Sequence, residues 1–167
     1  LKRKRVWIVG GGPGGMEAAR IASLRGHKVM LCEQGPRLGG ALLLASITNR
    51  RMKPVLNYMK REIKKLPIEV RLNTKVTPAL VDRMKPDVIV LALGGAPSAL
   101  EVPGSNHDIM LDRGDVQAIF SGHAMRKGGF PKRFVSSLGA LFVRYFYEPS
   151  VIRWLLRFGF PFGKRVV

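Results

Sequence analysis

The stretch "RVWIVGGGPGGMEAARIASLRGHKVMLCE", residues 5–33, leaves this chain few ways to fold. "RVWIVG" is a short apolar run that ends in glycines, and it reads as a strand buried on both faces. "GGMEAARIASLRG" follows, with Met16, Ala19, Ile21 and Leu24 at near-helical spacing and Gly26 placed to close the helix. "HKVMLCE" is a second buried strand. Strand, turn, helix and strand within about thirty residues make one βαβ unit.

The turn carries chemistry. Gly10, Gly12 and Gly15 stand as G-x-G-x-x-G between the strand and the helix. Gly10 permits the tight turn out of the strand, Gly12 lets backbone approach a pyrophosphate, and Gly15 lets the helix pack closely on the sheet. The helix start then offers free N–H groups and a partial positive charge to phosphates. A carboxylate, Glu33, ends the next strand 18 residues after Gly15. It is placed to accept hydrogen bonds from a ribose 2′-OH and to repel a 2′-phosphate. The expectation is a dinucleotide or ADP-type site.

Further on, "QGPRLGGALLLASITNR" reads as a glycine-punctuated loop with an apolar middle. "KPVLNYMKREIKKL" sets Val55, Leu56, Met59, Ile63 and Leu66 on one face of an amphipathic helix. "IEVRLN" alternates as a third strand. "TPALVDRMK" is a short helix with Thr77 as N-cap and Pro78 at its first position. "DVIVLALGG" is a fourth buried strand. Beyond Pro97 the pattern weakens to a turn, "EVPG", and to short helices over "GDVQAIFSG", "FVSSLGALFVRYFY" and "SVIRWLLRF".

Composition excludes several classes. The 167 residues suit one domain with a real core. Cys32 is the single cysteine, so no internal disulfide is possible, and a cytoplasmic setting is expected. That thiol and three scattered histidines, His27, His107 and His123, make no metal site. Neither the histidines nor the Asp112/Asp115 pair reads as an acid/base device, so no catalytic residue is assigned. The net charge is +18, with nine Lys or Arg against Glu148 alone in residues 122–167. No nucleic-acid motif accompanies this excess, so nucleic acid is not expected as a partner. Basic faces that meet acidic neighbours are the favoured explanation.

The spacing from Glu33 to Gly39-Gly40 resembles the E-x-x-x-x-x-G-G pattern of flavoproteins with two dinucleotide sites. "DVIVLALGGAPSALEVPG" resembles their strand–"ATG"–proline segment, except that Leu93 stands where threonine is usual. With "VLNYMKREIKKLPIEVRLNTKVT" between them, residues 3–104 look like the C-terminal nucleotide-binding region of multidomain NADH:flavin oxidoreductases. This old yellow enzyme-like family includes 2,4-dienoyl-CoA reductase, 2-enoate reductase and trimethylamine dehydrogenase.

The resemblance implies an α/β fold: a Rossmann-like FAD/NAD(P)-binding parallel sheet with flanking helices and a helical C-terminal connector. It implies a nucleotide-binding half-domain over 1–104, a connector over 105–161, and at 162–167 the start of a second, NADH-binding domain. It implies FAD, or ADP in its place. NADH, FMN and a 4Fe–4S cluster would belong to a barrel and an NADH domain of a longer, homo-oligomeric parent. Electrons would pass from NADH through FAD, cluster and FMN to an activated C=C bond. By the same resemblance, Gly10, Gly12, Pro13, Gly14 and Gly15 meet the pyrophosphate, and Glu33, with Gln34 beside it, meets the ribose. Arg37 and Gly40 lie near the second half of the dinucleotide, Val76 offers backbone to the adenine, and Ala92, Leu93 and Gly94 pass beside the cofactor.

Two rivals stand beside this. A simple NAD-binding domain leaves Gly39-Gly40 and residues 92–97 without a role. A non-catalytic ADP-binding module would dock through its basic, aromatic tail on a membrane or an acidic partner. For that tail, packing between domains is favoured over peripheral membrane contact.

Overall fold

The computed structural model describes residues 2–95. The turn and connector helices expected beyond residue 96, and the start of a second domain expected at 162–167, lie outside the described residues. Those described divide between two compact units: 2–43 with 51–95, and the short stretch 44–50.

The first unit is a parallel sheet of four strands: β1 (Arg5–Val9), β2 (Lys28–Cys32), β3 (Ile68–Arg71) and β4 (Val88–Leu91), in the spatial order β3-β2-β1-β4. Helix α1 (Pro13–Leu24) joins β1 to β2, α2 (Ala41–Thr48) and α3 (Met52–Lys65) lie between β2 and β3, and α4 (Pro78–Met84) precedes β4. The steps from β1 to β2 and from β2 to β3 move the same way along the sheet, so right-handed crossovers put α1 and α3 on one face. The step to β4 runs back past β1, which puts α4 on the other.

The strand residues sort accordingly. Trp7 pairs with Met30 and Val9 with Cys32. Trp7, Met30 and Cys32 form a buried cluster covered by Val76, Leu80 and Val81. Val6, Ile8, Val29 and Leu31 alternate to the face left to α1 and α3, which contribute buried Met16, Ala19, Leu56 and Ile63. Ile8 and Leu31 are fully enclosed, and burying each side chain is worth about 1.5–3 kcal/mol.

The predicted elements form, with four differences. Residues 41–48, expected as loop, are helix α2. The run Ala41-Leu-Leu-Leu-Ala is apolar all round, so it shows no helical face to read. Strand β4, expected to be buried on both faces, is an edge strand among the described residues, and Leu91 is 71% exposed. Leu24 and Val55, expected on buried helix faces, point outward, and Ser23 takes the inner position near the end of α1. Thr77 caps α4 as expected, its Oγ1 accepting from the Leu80 N–H at 3.3 Å.

Candidate nucleotide site at the strand ends

The site residues read from the sequence gather at the C-terminal ends of the strands. In such a sheet that rim, where the strand order reverses between β1 and β4, is the crevice for a ligand. Gly10 has φ +112°, and a β-carbon there would fall inside contact distance of the Ala92 carbonyl. Ala92 in turn donates its N–H to Val9 C=O at 2.8 Å. The glycine turn is thereby pressed against the end of β4. Gly15 has the same constraint inside the turn: a β-carbon would strike the Gly10 carbonyl.

Gly12 differs from both. Among the described residues the nearest atom to a β-carbon placed there is Gly40 Cα at 4.0 Å. Gly12 is also the N-cap of α1, has no side chain to cap the helix, and is followed by Pro13 at the first helical position. Among the described residues the N–H groups of Gly12 and Gly14 have no protein acceptor. The turn therefore combines open space with unused donors at the positive end of a helix, which suits a phosphate group.

Glu33 stands beside it. Its Oε2 accepts from the Gly11 N–H and its Oε1 from the Gly35 N–H, both at 2.7 Å. Its backbone is held by Arg71 C=O at 2.8 Å and by the Thr74 N–H at 2.9 Å. Each carboxylate oxygen retains capacity for another donor. The loop after it folds back onto the turn, with the Gly39 N–H donating to Gly11 C=O at 2.8 Å. Gly39 (φ +135°) sits against Leu43 and Leu56, and Gly40 (φ +50°) against Gly12. Gly39-Gly40 are thus glycines because backbone meets backbone and helix side chains there.

Arg37 is partly buried in that loop. Burial first, then the charges of Arg37 and Lys64, hold the pKa of Lys60 on α3 below that of an ordinary lysine. Gln34 is exposed, as are Leu93 and Gly94 at the end of β4. Val76 turns its side chain into the Trp7 cluster, leaving its backbone as the part available to a ligand. The sequence pattern missed Gly11, which occupies an unspecified position of the glycine motif. The described residues hold no group of three or more His, Cys, Asp or Glu able to bind a metal, and no helix among them is long and apolar enough to cross a membrane.

A parallel sheet with a capless, glycine-rich helix start and an acid just past the neighbouring strand has the Rossmann-like form. The family model "Pyridine nucleotide-disulphide oxidoreductase" matches residues 4–135, and the chain belongs to that family. With a single cysteine in the sequence, the disulphide of the family's name has no counterpart here.

Within the family, the chain corresponds to the FAD-binding part of old yellow enzyme-like proteins. It is 39% identical over 108 residues to N,N-dimethylglycine/sarcosine dehydrogenase of Chromohalobacter salexigens, covering 64% of this chain and 16% of that protein. It is 32% identical over 120 residues to cinnamate reductase of Clostridium sporogenes, covering 68% and 18%. Among solved structures, 2-naphthoyl-CoA reductase with 2-naphthoyl-CoA matches with a TM-score of 0.66 and 36% identity, over 70% of this chain and 18% of that one. The chain thus spans less than a fifth of the length of these relatives.

Proposed function

We propose that this chain holds the ADP moiety of FAD within an NADH-dependent flavoprotein oxidoreductase. The observation that carries this is the space over Gly12 that no described residue fills, at a helix start whose N–H groups lack an acceptor among the described residues, next to Gly11, which the Glu33 carboxylate holds. Pro13, Gly14 and Gly15 continue the pyrophosphate cradle. Glu33 accepts from the ribose with its remaining lone pairs. Arg37 and Gly40 meet the second half of the dinucleotide, the Val76 backbone meets the adenine, and residues 92–94 pass beside the cofactor. A bound flavin would supply the redox chemistry, taking electrons from NADH and passing them on. The residues of this chain bind and orient it.

Relatives named for cinnamate and 2-naphthoyl-CoA reduction support an activated C=C bond as the parent's substrate. One named for amine dehydrogenation shares the same segment, so substrate choice belongs to other parts of such proteins. The parent's barrel, with FMN and a 4Fe–4S cluster, and its NADH domain are the partners this reading requires.

Parallel calorimetric titrations with ADP, FAD and NADH at physiological salt test it. Comparable binding of ADP and FAD, lost in Glu33→Ala, is the expected result. Binding of NADH alone would replace this reading with a simple NAD-binding domain.

A further inference from the structure

The glycine motif leaves its second position open to any residue, yet Gly11 is buried and crowded. A β-carbon there would lie 2.5 Å from Leu38 Cδ2, 2.9 Å from Glu33 Cβ and 3.0 Å from Glu33 Oε2. Leu38 can swing aside. Glu33 cannot, because its backbone is bonded on both sides, to Arg71 C=O and to the Thr74 N–H. Alanine at this position would therefore push on the carboxylate that accepts the Gly11 N–H.

That carboxylate is the meeting point of separate segments. One oxygen takes the Gly11 N–H from the turn after β1, and the other takes the Gly35 N–H from the turn after β2. Gly11 C=O takes the Gly39 N–H from the loop that carries Gly40 to Gly12. A charged acceptor makes the stronger kind of hydrogen bond.

We propose that Gly11 and Glu33 form a clasp that fixes the glycine turn in its nucleotide-accepting shape before any ligand arrives. Gly11 is then a positioning residue, and Glu33 serves the pyrophosphate through the turn as well as the ribose directly. The ligand half of this inference rests on the nucleotide reading above; the clasp itself does not.

The test uses the full chain, with Gly11→Ala and Glu33→Gln. Backbone amide exchange is followed by NMR in the ligand-free protein, and binding of ADP and of 2′,3′-dideoxy-ADP is measured by calorimetry. Slow exchange at Gly11 and Gly35 is expected in the wild type, with at least one of them speeded in Glu33→Gln. Both nucleotides should bind about tenfold more weakly to each variant, the loss of one charged hydrogen bond. Fast exchange at both amides in the wild type would overturn the clasp. So would unchanged ADP affinity in Gly11→Ala. Glu33→Gln weakening ADP while leaving 2′,3′-dideoxy-ADP untouched would reduce Glu33 to a ribose ligand and also overturn it. If Gly11→Ala fails to fold, Glu33→Gln decides alone. Failure of the wild type to bind ADP would end the nucleotide reading and, with it, the ligand half of the proposal. The exchange rates would then uphold or reject the clasp by themselves.

Discussion

Gly12 and Gly15 both carry a hydrogen atom where other residues carry a side chain, for opposite reasons. At Gly15 the protein itself fills the space, with the Gly10 carbonyl in the way of any β-carbon. At Gly12 no described residue fills the space, and the backbone there is extended and accessible to any residue. Gly15→Ala should therefore destabilise the fold by about 1–3 kcal/mol through overpacking, seen as a lower urea midpoint. Gly12→Ala should leave the stability within about 0.5 kcal/mol of wild type. It should nonetheless weaken ADP binding about tenfold, equivalent to roughly 1.4 kcal/mol, because the methyl group stands where a phosphate would approach. Equal stability loss in the two variants would contradict this division. The motif spacing identified these glycines and Glu33. It could not identify Gly11, because crowding by Leu38 and Glu33 arises only after loops from two strands have been brought together.

Among the elements, helices and strands with one-sided patterns were legible, and those without were not. α3 shows its buried face through Leu56 and Ile63, whereas α2 is apolar on every side and follows two glycines, which reads as loop. α4 was found from its cap, and Thr77→Ala should cost about 1 kcal/mol, measurable by thermal unfolding. The strand start is tied as well. The Arg5 N–H donates to Asp87 Oδ2 at 2.6 Å, and the Arg5 guanidinium bonds to Met84 C=O and Lys85 C=O. The Arg5 backbone N–H first, and its side chain next, hold the Asp87 pKa below its ordinary value of 3.8. A depressed carboxylate contributes stability that is complete above the unfolded-state value and is lost as pH falls through the folded-state value. Below about pH 4, wild type should thus lose stability more steeply than Asp87→Asn. Parallel slopes in acid would remove Asp87 from the account. The pairing joins residues 82 positions apart, and no local pattern announces it.

At the scale of the whole molecule, charge dominates. With 29 Lys and Arg against 11 Asp and Glu, self-repulsion opposes compaction and salt relieves it. The melting temperature should rise when sodium chloride is raised from low to physiological concentration, and a flat response would show that the basic residues are too dispersed to repel. The order β3-β2-β1-β4, and with it the place of the crevice, comes from the strand pairing, but a parallel sheet was legible from the βαβ pattern. The edge position of β4 among the described residues was not, since an apolar run looks the same whether one neighbour covers it or two. One further consequence comes from Cys32, the only thiol in the sequence, buried at the end of β2, its pKa raised chiefly by burial. A thiol reagent can reach it only when the middle of the sheet opens, so its labelling rate is a built-in clock for that opening, and slower labelling with a nucleotide present would report binding without a tag.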